Sequence, residues 1–568
     1  MKKWGLVLAA TAATVGGSVS LPMAWAAVPG AVDPNRIERE FEPPALPQSS
    51  GEGIVTPTIP GTVAPPGAEA ASFTLTEVVI DGSTVYTAEA LRPFYEDFLG
   101  RTASVKTLYD IAATITARYT GDGYILSQVV VPPQTIGDDG IVHLRVVEGS
   151  IDQVIIKGDG AAAVNDLLQG YAKTIRAETP LKLATLERCL LLASDLPGAT
   201  VRGTLKPSDT VTGAADLIFD VERKPVAMAA SLDNRGSRYI GPWRTMTTAD
   251  LNGVINGRDH TSLTYATVPQ HTEQLQYGHL IHEETLDDEG TKLAFDAGYT
   301  QSHPGWLLKE DQVRNHAEVA GVEISRPVIR SRAETLTLTA RFEARDSGID
   351  QYVNETVSND SLRSARLSAA YDWADAWAGQ PAASLLTLEV AQGLNVLGAT
   401  RSGSANPSVK GGHSDFIKFD AEIIRTQRLY GPFALQVGAR AQVAGSTLLS
   451  AEQVTLGGVQ YGRAYDAGVL AGDHGLAGKA ELQYAGPEIP MLKDWLLYGF
   501  WDGGRIWRMH PTEDGENGGG LTSVGAGLRG DINDWASFEL ELAKPLTHVD
   551  AEDRGMGVRG FATLVVRY

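Results

Sequence analysis

The sequence predicts a large closed membrane β-barrel preceded by two small α+β modules in tandem. Three observations carry that prediction. From Pro225 onward helical periodicity gives way to strict alternation of apolar and polar residues, sustained to residue 568. Between residues 73 and 224 a strand and helix pattern of one kind is passed through twice. No apolar run beyond the N-terminal segment is long enough to cross a bilayer as a helix, so any membrane crossing must be made by strands.

The elements follow in order. Residues 1–26 read as a cleaved export signal: Lys2 and Lys3 precede the apolar stretch WGLVLAATAATVGGSVSL, and Ala24-Trp25-Ala26 supplies a small-x-small cleavage site. Cys189 is the single cysteine, which excludes an intramolecular disulfide and a cysteine metal site. A net charge of −21 argues against nucleic acid as a partner. The mean hydropathy of −0.10 suits a soluble protein and equally a barrel, where only alternate residues meet lipid.

Residues 27–72 read as a linker, because nine prolines and few aromatics leave too little apolar surface for a core. Within it only DPNRIEREFE, residues 33–42, is suited to a short helix, with Asp33 as N-cap and Pro34 at the first helical position. Residues 73–149 form the first predicted module. Phe73, Leu75, Val78 and Ile80 read as a strand ending at Gly82, and Leu108, Ile111, Ala112, Ile115 and Tyr119 fall at helical spacing. GYILSQVVVPPQ and GIVHLRVVEG then give two β-rich runs, so the expected order is strand, helix, helix, strand, strand. Residues 150–224 repeat it, from IDQVIIKG through LKLATLERCLLLASDLPG to ADLIFDVERK; Cys189 falls on the apolar face of that module's second helix as a structural thiol.

Residues 225–568 are predicted to be the barrel. In FALQVGARAQVA, Phe433, Leu435, Val437, Ala439, Ala441 and Val443 alternate with Gln436, Arg440 and Gln442. LTLTARFEAR places Leu336, Leu338 and Phe342 opposite Arg341, Glu343 and Arg345, and LAFDAGYT sets Leu293, Phe295, Ala297 and Tyr299 on one side. A sandwich alternates in the same way, but the segment is too long for one. FATLVVRY puts Ala562, Leu564, Val566 and Tyr568 on one face, with the aromatic at an interfacial position.

Sites for chemistry are missing from the pattern. GAGLRG, residues 525–530, matches a dinucleotide fingerprint in letters, yet a strand and no helix follows it; strand glycines are the better reading. His279, His282 and Glu283 lack zinc-helix spacing, and no nucleophile elbow is present. The sequence therefore predicts no enzyme, no metal site and no cofactor.

The same residues carry a resemblance. GYILSQVVVPPQTI with VVEGSIDQV resembles a first POTRA domain, CLLLASDLPG a second, and SLDNRGSRYIGPW a first barrel strand and its loop. LSAEQVTLGGVQYGRAYDAG resembles the sixth extracellular loop, and GFWDGGRIW the F-x-D-x-G strand, of the TpsB transporters of two-partner secretion, the ShlB/FhaC/HecB haemolysin secretion/activation family. The resemblance implies a barrel of 16 antiparallel strands in the outer membrane of a Gram-negative bacterium, with two periplasmic POTRA domains. It implies that an unfolded TpsA-type exoprotein is captured in the periplasm and secreted through the pore. The implied surroundings are outer-membrane lipid and the barrel-assembly machinery that inserts the chain; grooves within 73–224 would bind substrate by strand addition. It further implies that the sixth loop folds back into the barrel. Arg463 then pairs with Asp502, a contact that could be bidentate, Tyr465 packs beside the arginine, and Phe500, Gly503 and Gly504 shape the strand. Here the loop reads Gly462-Arg463-Ala464-Tyr465, without the glycine usual after the arginine, and residues 33–42 are the only counterpart of the family's plug helix. Two other functions fit less of the chain: a barrel-assembly insertase, which usually has more than two such modules, and a porin-like channel, which leaves the modules unexplained.

Overall fold

The computed structural model describes residues 30–41, 46–47, 64–158, 160–211, 213–352, 355–490, 492–511, 515–549 and 555–568. The expected export signal and half of the proline-rich linker lie outside them. Sixteen antiparallel strands, from Val226–Asp233 to Arg559–Arg567, close into one barrel. Its seam pairs the first strand with the last over a short register, Thr563 with Asp233 through Arg567 with Ala229. Alternation sorts the side chains as the pleat requires. Leu280, Phe295, Leu338, Leu388, Phe419 and Leu482 are exposed on the outer wall as a lipid-facing band, while Asp296, Glu343, Lys418 and Glu481 are buried inside it. Every inward charge is expensive away from water, so these residues pair across the strands: Arg341 with Asp296 at 2.6 Å and Arg440 with Asp420 at 3.1 Å.

The two α+β units sit at the end of the barrel where its first strand begins. In the first, the helix Val105–Gly121, capped by a reciprocal Ser104 and Thr107 box, buries Leu108, Ile111, Ile115 and Tyr119 against a sheet of Glu77–Asp81, Ile141–Val147 and Gln128–Val130. The run predicted as one strand from Phe73 to Gly82 is two. It breaks at Thr76 because Ser72–Leu75 pairs with Arg101–Ser104, and Glu77–Asp81 with Ile141–Val147. The first helix of this unit is a single turn, Ala88–Leu91. The second unit keeps the expected order: Ile151–Lys157, the helices Asn165–Ala177 and Leu183–Ser194, then Ala199–Pro207 and Ala215–Arg223. Cys189 is buried in its core, and burial pushes the thiol up to about 12.

Two segments fill the lumen. Pro34–Arg39 is a helix with Pro34 in its first turn, capped by Asp33, whose carboxylate accepts from the Asn35 amide at 2.9 Å. It ends at Arg39 with Glu40 as C-cap, short of the predicted 42, and Glu42 lies outside the described residues. Its polar side chains meet the barrel wall: Thr300 donates to Glu38 at 2.7 Å, Asn35 donates to Ser347 at 3.1 Å, and Arg345 pairs with Glu38. Val32 and Ile37 join Tyr239, Val268 and Leu275 in a small apolar cluster. The second segment is the sixth of the loops at the end away from the α+β units, residues 445–473. It folds inward and pairs Val454–Leu456 with Leu470–Gly472 as a short hairpin.

Candidate functional site: the lumenal arginine

The loop turns sharply where the chain is GGVQYGRAYDAG. Gly457, Gly458 and Gly462 have φ of 104°, 89° and 102°, a region open to glycine at little cost. Ala464 is fully buried and absent from the left-handed region, so an alanine fits after the arginine; the glycine this turn needs stands before it, at Gly462. That turn points two backbone amides at one carboxylate: Gly462 N donates to Asp502 Oδ1 at 2.9 Å and Arg463 N at 3.3 Å. Ser523 donates to the same oxygen.

The Arg463 side chain reaches three acids on three different strands. Its Nη1 lies 2.7 Å from Glu481 Oε2 and 3.3 Å from Glu541 Oε2, and its Nε lies 3.1 Å from Asp502 Oδ2. The Asp502 approach is at ion-pair distance but off the N–H direction, so it is coulombic and not the bidentate fork the resemblance suggested. Arg529 balances Glu481 at 2.8 Å and Arg235 balances Glu541 at 3.1 Å, which makes three guanidiniums for three buried carboxylates. Full pairing is what makes so many buried charges tolerable.

Aromatic rings floor the site. The Arg463 guanidinium stands 4.0 Å from the Phe500 ring centroid, and Arg529 4.7 Å from that of Tyr498. Both rings lie across the neighbouring strand at Gly525 and Gly527, where an added Cβ would come within 2.5 Å of Phe500 and 2.4 Å of Tyr498. Two of the three fingerprint-like glycines of GAGLRG, Gly525 and Gly527, are therefore seats for rings. Tyr465 is buried, and its hydroxyl lies within hydrogen-bond reach of the carbonyls of Thr522 at 2.9 Å and Thr547 at 2.6 Å, with one proton to donate to either. Gly503 and Gly504 follow Asp502; a Cβ on Gly504 would lie 2.9 Å from Leu456 of the loop hairpin. The structure thus brings Arg463, Tyr465, Phe500, Asp502, Gly503 and Gly504 into one place. It adds Glu481, Glu541, Arg529 and Arg235, which sequence reasoning missed. Charges at the inward positions of alternating strands were the signal for Glu481, Arg529 and Glu541.

Nothing in this network has the arrangement of a nucleophile and its base, and no group of three or more His, Cys, Asp or Glu among the described residues is placed to hold a metal ion. A closed 16-stranded barrel with α+β units at one mouth and a charged loop folded into its pore is the architecture of an outer-membrane translocator. The family described as haemolysin secretion/activation protein ShlB/FhaC/HecB matches residues 215–530, and the ShlB-type POTRA domain matches residues 73–149. The chain belongs to the ShlB/FhaC/HecB family: it is a non-catalytic outer-membrane translocator for a two-partner-secreted exoprotein, with its POTRA region in the periplasm of a Gram-negative cell.

Two curated relatives align over most of their length. The heme/hemopexin transporter protein HuxB of Haemophilus influenzae strain 86-028NP is 23% identical over 500 residues, 85% of each chain. The outer membrane transporter CdiB of Dickeya dadantii is 19% identical over 497 residues, 84% of this chain and 83% of that protein. CdiB from Escherichia coli shares the fold, with a TM-score of 0.70, 17% identity and coverage of 94% of this chain and 95% of that one.

Proposed function

We propose that residues 73–149 and 150–224 act as two POTRA domains that capture an unfolded TpsA-type exoprotein in the periplasm and feed it into the barrel, residues 225–568. The observation that carries this reading is a pair of sheet edges. Glu77–Asp81 and Ile151–Lys157 each form one of the two outer strands of a three-stranded sheet, with one row of backbone groups unpaired by the sheet. An extended chain can add to such an edge by backbone hydrogen bonds that demand no particular sequence. Beside the second edge, Ile151, Val154, Ala172, Lys173, Arg176 and Val211 line a groove of about 460 Å³ against the helix Asn165–Ala177. Apolar side chains of an unfolded exoprotein would enter it, and the two cations favour acidic residues beside them.

In this reading Arg463 and Asp502 lock the sixth loop in place, Tyr465 and Phe500 brace the arginine, and Gly503 and Gly504 let the loop approach the wall. The lumenal helix closes the resting pore, and the barrel-assembly machinery inserts the barrel in the outer membrane. The periplasm lacks nucleotide, so folding of the exoprotein outside supplies the drive. A photo-cross-linker at exposed Ile155 tests substrate capture directly. An adduct with the exoprotein during secretion is the expected result; no adduct there or at Val79 would remove the edge-capture reading.

A further inference from the structure

The sixth loop carries a further buried charge, of opposite sign to Arg463 and set against a different sector of the wall. Glu452 ends the short 3-10 turn Ser450–Glu452 and is 1% exposed. Its carboxylate pairs with Arg366 of the strand Glu355–Trp377, and with Lys418 of the strand Ile417–Arg428 at 2.7 Å. Its carbonyl accepts from Lys418 at 3.2 Å and from Gln442 at 3.1 Å. Side chain and backbone of one loop residue are thus held by three inward-facing groups.

The same turn receives the lumenal helix from its other side. Arg39 donates to the carbonyls of Ala451 and Gln453, the residues on either side of Glu452, the latter at 2.7 Å. Asn35 donates to Ser450 at 3.2 Å, and Arg36 to the Gly468 carbonyl at the far arm of the loop at 2.8 Å. These contacts of the helix with the loop use mainly backbone carbonyls, so they exist only while the loop keeps this path. Glu452 is also the carboxylate between Arg39 on the helix and the Arg366 and Lys418 pair on the wall. Without its charge those cations would face each other across a poorly hydrated space, where like charges repel strongly.

We infer that Glu452 is a second anchor of the sixth loop and that the turn it pins is the seat of the lumenal helix, so the helix stays in the pore only while Glu452 binds its two wall cations. The inference rests on the reading that the helix closes the resting pore, but it fails separately from the Arg463 lock, which concerns secretion.

Single-channel recording of the full-length protein in planar bilayers tests it. Glu452→Gln should raise the open probability roughly tenfold or more over the parent, a population shift of a two-state closure. Arg39→Gln, which leaves the barrel wall intact, should do the same. A chain lacking residues 30–41 should be open, and adding Glu452→Gln to it should change nothing further. An open deletion chain beside a parent-like Glu452→Gln variant would overturn the inference while leaving the plug reading intact; a deletion chain as closed as the parent would overturn both. Extra conductance from Glu452→Gln in the deletion background would also overturn it, because the effect would then not run through the helix. Should Glu452→Gln fail to give a folded, heat-modifiable barrel, Arg39→Gln decides by the same criterion.

Discussion

Arg463 concentrates the cost and the specificity of the loop in one side chain. A lone guanidinium in this lumen would be strongly disfavoured; it is held there by Glu481, Asp502 and Glu541 together, with Phe500 beneath it. Removing it leaves three buried acids short of one cation, at a cost on the order of 3 kcal/mol. We therefore expect Arg463→Ala and Asp502→Ala to reduce secretion far more than they reduce the heat-modifiable, inserted barrel. Arg463→Lys should rescue poorly, since an ammonium cannot reach three acids on three strands at once. Exchange of the two charges, Arg463→Asp with Asp502→Arg, should restore little, because the new aspartate would face Glu481 and Glu541. The motif pair of arginine and aspartate was legible from GRAY and F-x-D-x-G, whereas Glu481 and Glu541 were hidden: strand alternation says that they point inward, but not which strand of a closed barrel lies opposite which loop.

In the periplasmic part another single residue contributes a pH dependence. Glu148 is partly buried, which raises its pKa, but amides of Thr84 and Val85 and the hydroxyls of Thr84 and Tyr119 donate to it and hold it below the usual glutamate range. A lowered folded-state pKa means that its contribution is present above the ordinary glutamate range and is lost as pH falls through the lowered value. Protease resistance of the region around Tyr119 in the full-length protein is expected to fall with acid, and Glu148→Gln should lower it at neutral pH and flatten that dependence.

At the scale of elements, the lumenal helix and the sixth loop are two short pieces with little core of their own. Six helical residues cannot persist alone in water. They persist because the wall supplies Thr300, Ser347 and Arg345 as partners. The helix start was legible, as Asp33-Pro34 is a capping signal in plain sequence. Its place inside the barrel was not, since its partners come from strands hundreds of residues away. Deleting residues 30–41 should leave a folded barrel, because its strands pair without the helix. It should raise conductance, and both are readable from the gel shift and from bilayer recordings of one preparation. The break at Thr76 was illegible for a related reason: both halves have strand periodicity, and only their different partners separate them.

For the whole molecule the joint between module and barrel matters most. The second α+β unit is fixed to the barrel's near-end turns by side chains of its helix Leu183–Ser194 and the residue that caps it: Arg330 forks Asp195 with two contacts of 2.7 Å, and Arg188 meets Glu289 at 3.0 Å. The first unit follows through Leu183 N to the Gly123 carbonyl at 2.8 Å and through Lys182, 5.6 Å above the Tyr124 ring. A captured chain would therefore be presented at the pore mouth by a docked module and not by one on a free tether. The measurement that tests this account most directly is surface export of the exoprotein in a strain lacking this gene, complemented with the full chain or with a chain missing residues 73–224. Export restored by the full chain and abolished by the deletion, with an inserted barrel in both, is the predicted result; normal export by the chain without residues 73–224 would contradict it.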